Sequence, residues 1–117
     1  KIISAYSEYK VSGVKQLSKI DEAIKELQGS LDSLEKLGAS SAQKQKIENK
    51  ISATNSFRLS VSNFLTFLGE KIDLFQQDIE LIKNNAISSE KLQSDIDEAS
   101  DSFDQLKKDM TDKVNAL

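Results

Sequence analysis

Apolar residues recur along this chain at alternating steps of three and four for almost its whole length, in three separate registers. The first is Ile3, Tyr6, Lys10, Gly13, Leu17, Ile20, Ile24, Leu27, Leu31, Leu34. The second is Ile47, Ile51, Thr54, Arg58, Val61, Leu65, Leu68, Ile72, Phe75, Ile79, Ile82, and the third Leu92, Ile96, Ala99, Phe103, Leu106, Met110, Lys113, Leu117. A repeat averaging about 3.5 residues keeps one seam of a helix facing a partner, so the spacing predicts helices packed side by side and no strands.

Punctuation between the registers sets the topology. Gly38 follows Lys36 and Leu37 as a left-handed helix stop requires, and Ser40 with Gln43 forms an S-x-x-Q capping box for the next helix. Two helices joined by so short a turn run antiparallel. The second helix reaches about Lys83, with Asn84 and Asn85 as its stop and Ser88 or Ser89 as the next N-cap ahead of Glu90. That second reversal carries neither Gly nor Pro, so its signal is the weaker of the two.

Seam width then arranges the helices. From Phe57 to Ile82 the second helix adds Phe57, Leu59, Phe64, Phe67, Leu74 and Leu81 to its seam, a face too broad for one neighbour. From Ser40 to Thr54 only the narrow line of Ile47 and Ile51 remains. The expectation is one all-α domain spanning 1–117: an antiparallel three-helix bundle, helices about 2–37, 40–83 and 88–117, from which a two-helix coiled-coil hairpin projects over about 21–57. Phe64, Leu68 and Phe75 are expected in the core.

Composition removes whole classes of chemistry. There is no His, Cys, Trp or Pro among the 117 residues, which excludes zinc fingers, Cys or His nucleophiles, His-ligated haem and Glu-x-x-His di-iron sites. Carboxylate-only hydrolysis needs a concave pocket that a narrow bundle rarely has. The expectation is a non-enzymatic protein with no catalytic residues, metal or cofactor. A net charge of −3 with Arg58 as the single arginine argues against nucleic acid. No apolar run approaches the roughly 20 residues that span a bilayer, so stable membrane insertion is not expected.

Charge is uneven. Lys1 to Gly69 holds nine lysines and Arg58 against seven acids, a balance of +3, whereas Glu70 to Asp112 holds twelve acids against five lysines, −7. One reading lays the acidic third helix against the basic first; the other makes Asp97, Asp101 and Asp104 a docking face for a basic partner. The run Asp95, Asp97, Glu98, Asp101 has acids at near-alternating positions but lacks the glycine and terminal glutamate of a calcium loop, and its heptad makes it helical. Lys10, Thr54 and Arg58 break the seam, as polar residues that fix register do. Gly13 marks a kink or a close helix approach. At the hairpin tip, Lys36, Leu37, Gly38, Ser40 and Ser41 are the other candidate partner contacts, because loops on rigid stalks are where contacts are commonly made.

A small, acidic, cysteine-free helical hairpin with glycine at its first turn resembles the WXG-type proteins and the small helical partners of LXG toxins in bacterial type VII secretion. The resemblance covers Lys1 to Lys83 and rests on Leu37-Gly38 and the heptads on either side. The W-x-G tripeptide itself is absent, Leu27-Gln28-Gly29 falls inside the first helix, and Phe103 is followed four residues later by Lys107 rather than an acid. The resemblance implies an interaction module that is secreted or serves a secretion apparatus as effector partner, chaperone or targeting factor. It would work by packing against a protein partner through helices, and homo-oligomers are compatible with it. The alternatives are a structural coiled-coil piece of a larger surface or scaffold protein and a membrane-active helical toxin. Cysteine-free usage suits a secreted or cell-surface location, with the cytoplasm as the alternative.

Overall fold

A computed structural model describes Ile2 to Leu117; Lys1 lies outside the described residues. Three helices follow in order, α1 (Ile2–Lys36), α2 (Ser41–Lys83) and α3 (Ser89–Asn115), with no strand among the described residues. The protein is an all-α three-helix bundle. At about 1.5 Å per residue the 43 residues of α2 span about 65 Å, nearly the full length of a molecule measuring 70 × 20 × 17 Å. α2 is therefore the spine, and α1 and α3 both lie along it.

Both reversals close in the same way. At the first, Gly38 has φ 69°, and its N–H donates to the Glu35 carbonyl at 3.2 Å while Ala39 N–H donates to Leu34 at 3.0 Å. These two bonds satisfy carbonyls that the end of α1 would otherwise leave open. Ser40 and Gln43 then cap each other: Gln43 N–H donates to the Ser40 hydroxyl at 3.3 Å, and Ser40 N–H to Gln43 Oε1 at 3.2 Å. At the second reversal Asn85 takes the left-handed position with φ 57°, and Asn85 and Ala86 donate to Ile82 and Leu81 at 3.0 and 2.8 Å. Asparagine tolerates that conformation because its short polar side chain can bond locally. Ser88 precedes α3 in extended backbone but makes no side-chain cap bond.

Burial follows the registers. Tyr6, Gly13 and Ile20 of α1 and Thr54, Val61, Leu68 and Phe75 of α2 are buried on the predicted seams. Phe64, Phe67, Leu68 and Phe75 join Tyr6 and Ala99 in the main core, and Ile20, Phe57 and Val61 form a second cluster linked to the first through Leu65 and Met110. Leu68 and Phe75 have no exposed surface at all. Gly13 is a close approach within a continuous helix: a Cβ there would sit 2.5 Å from Leu65 Cδ2. Thr54 is buried because its hydroxyl donates to the Lys50 carbonyl at 2.7 Å, and Arg58 reaches outward to Asp21, Nε to Oδ1 at 2.6 Å.

Two expectations need correction. Leu59 and Leu81, assigned above to the broad face, are 61% and 41% exposed. Leu59 lies two residues from Phe57 and Val61, about 200° around the helix from the side they face, and Leu81 lines an open groove with Gln77 and Glu80 in the last turn of α2. Nor do the acids of α3 pair with the lysines of α1. Among the described residues α1 and α3 have no Cα pair within 8 Å, and what bridges them is aromatic. Tyr6 stacks on Phe103 at 5.3 Å between ring centroids, Tyr9 meets the same ring edge-on at 5.1 Å, and the Lys107 ammonium lies over Tyr9.

Candidate interaction surfaces

Between Asp21 and Ala53 no side chain is buried. Here α1 and α2 have only each other, and Ile24, Leu27, Leu31, Leu34, Ile47 and Ile51 are half-covered on their shared seam. Along α1 and α2 the line that α3 occupies lower down continues as an open groove of about 490 Å³. Ile20, Ala23, Leu27, Thr54 and Phe57 form its apolar floor, Lys19, Glu26 and Lys50 line its sides, and Leu117 lies in it as well.

The tip stands beyond this groove. Lys36, Leu37, Gly38, Ser40 and Ser41 are all exposed, and Leu37 at 82% is the most exposed large apolar side chain described. Ser40 is already committed to its capping bond, so among these five residues Lys36, Leu37 and Ser41 present free side-chain groups. Asp97, Asp101 and Asp104 are likewise exposed, along the outer face of α3. Asp97 accepts a bond from Gln93 at 2.9 Å; Asp101 and Asp104 border a shallow groove with Gln105 and Lys108. The structure does not bring tip and acidic face together. Leu117 sits level with Thr54 and Phe57, about 16 residues or roughly 25 Å of helix short of the tip.

Of the acidic run on α3, Asp95 alone turns inward, 8% exposed, and it meets Asp78 of α2, 3% exposed. Lys91 donates to both Asp95 oxygens at 2.7 and 2.8 Å. The facing Asp95 carboxyl, followed by burial, pushes the Asp78 carboxyl above its ordinary 3.8; the facing Asp78 and the Lys91 ammonium pull Asp95 below it. Burial, together with the nearby charge of Asp104, also raises the Tyr6 phenol. Sequence reasoning missed the Asp78–Asp95 contact. The signal was there: stepping one turn along from Leu74 and from Leu92 lands on these two acids.

No family model, curated protein or solved structure matches this chain.

Proposed function

We propose that the protein is a non-enzymatic helical interaction module whose working element is the α1–α2 hairpin. The observation that carries the reading is the open groove beside Ile20, Ala23, Leu27, Thr54 and Phe57, which runs toward a tip bearing the exposed Leu37. Lower on the same two helices a third helix covers this line, so a partner helix of similar width would bury the same kind of surface above it. Charged flanks would then select the partner. Secretion, or service to a secretion apparatus, belongs to the same proposal and rests on the resemblance of the hairpin. A structural spacer within a longer surface protein is the alternative, and its support is the 70 Å rod shape.

The test is partner recovery from native lysate with three sets of variants. Ala23→Glu in the groove, and Lys36→Glu with Ser41→Glu at the tip, should each abolish recovery while the melting temperature holds. Reversing Asp97, Asp101 and Asp104 to Lys should leave recovery intact. Loss in the acidic set alone, with reduced sensitivity to salt, would move the contact to α3, and unaltered recovery in all three would leave the spacer.

A further inference from the structure

Asp78 and Asp95 bring two carboxyl groups together out of water, where both cannot ionise without repulsion and desolvation. Lys91 supplies one ammonium, which donates to both oxygens of Asp95 and reaches Asp78 only through its charge. One acid is left over. Its Oδ2 is buried with no hydrogen-bond partner, because Asp95 offers only acceptors unless a hydrogen lies between the two groups. A proton on Asp78 answers each point: it neutralises the surplus acid, supplies that hydrogen, and leaves Asp95 ionised for Lys91. The other charges acting here are Lys71 on α2, close enough to favour ionised Asp95, and Glu98 on α3, which acts on Lys91. From α1, Ile2 and Ile3 pack against the same core, and the ionisable side chain that comes with them is Tyr6, whose ring lies 5.7 Å from Phe75 between centroids.

Beyond the packing of Leu92, Ile96 and Ala99 against the main core, little else fastens the start of α3. Ser88 makes no side-chain cap bond, and the backbone of α3 does not approach α1. We propose that α3 is a proton-latched arm: with one proton shared between Asp78 and Asp95 it lies against α2, and loss of that proton lets its N-terminal half swing out and uncover the cluster around Phe75.

The direction of the pH response follows from linkage. In the detached arm both acids return to the ordinary carboxyl range; in the latched arm Asp78 lies above that range and Asp95 below it. As pH rises from about 4, detachment releases a proton, so the opening constant grows by up to about tenfold per pH unit until Asp78 is ionised in the latched state, then levels. As pH falls through the depressed range of Asp95, detachment takes up a proton and the latch weakens again. It is tightest near the ordinary carboxyl value of 3.8.

Amide hydrogen exchange on the full chain tests this, over about pH 4 to 8 and with rates corrected for intrinsic chemistry. A detached single helix frays readily, so opening is read at Ile96 to Leu106. The wild type should show the rise there. Asp78→Asn, which keeps a donor for Asp95 without a titrating group, should be flat. Asp95→Asn, which gives Asp78 an amide donor and frees Lys91 for it, should also be flat. A flat wild-type profile, a rise that survives in either variant, or an equal rise at Leu17 to Ile24 of α1 would overturn the proposal.

Discussion

The lower bundle and the upper hairpin share two helices and one heptad grammar, yet they differ in everything that depends on a third neighbour. Around Leu68 the seam is closed on both sides, and Tyr6, Phe64, Phe67, Phe75 and Ala99 are all buried. Around Leu31 the same spacing leaves the seam residues only half-buried. Heptad spacing thus fixes which side of a helix faces inward, while the number of helices present fixes how much that facing is worth. Apolar area removed from water stabilises by roughly 25 cal/mol per Å², so stability concentrates where α3 lies and thins toward the tip.

The sharpest way to break that contrast is a matched pair of truncations. Leu68→Ala should lower stability by about 2 to 5 kcal/mol, since a fully buried leucine leaves a cavity that can only partly collapse. Leu31→Ala should cost less than half as much. Equal losses in chemical denaturation would mean that the hairpin is covered in solution. Next in size is native-state exchange: amides from Leu27 to Glu48 should exchange at least about tenfold faster than those from Leu65 to Ile79, and uniform protection would make the molecule one cooperative block.

Two glycines of α1 give a finer comparison. Gly29 has nothing within 4 Å of where a Cβ would stand, so Gly29→Ala should raise stability by about 1 kcal/mol through helix propensity alone. Gly13→Ala must displace Leu65 and should show no increase in the same melt. A gain equal to that at Gly29 would show that Leu65 has room to move. Smallest of all, Lys36→Glu and Ser41→Glu at the tip should each shift stability by no more than about 0.5 kcal/mol; a larger drop would mean that the tip is packed against something.

These contrasts also show what the sequence made legible. The seams could be read because burial obeys the helical period, and the Gly38 turn because its chemistry lies within a few residues of itself. The Asn85 reversal carried less signal, since a left-handed asparagine is one choice among several for that residue. Leu59 and Leu81 were misassigned for another reason: apolarity was counted without the angle around α2. One reading of the net charges laid α3 against α1, whereas the interface is set by which side chains reach across, and those are Tyr6, Tyr9 and Phe103. Asp78 and Asp95 escaped notice because an acid is read as solvent-facing unless the position of its partner is known.

The separation of α1 from α3 bears finally on how the chain finds its shape. Every close backbone approach between helices joins consecutive ones, α1 with α2 and α2 with α3, so each pairing closes a hairpin with a turn of a few residues at its apex. Such short-range closures carry small entropic penalties and favour rapid folding. What joins α1 to α3 is the meeting of Tyr6 and Tyr9 with Phe103 and Lys107, and it can wait until both hairpins exist. The molecule can therefore assemble like two folds made along one strip, in either order, with the aromatic contact sealing whichever came last.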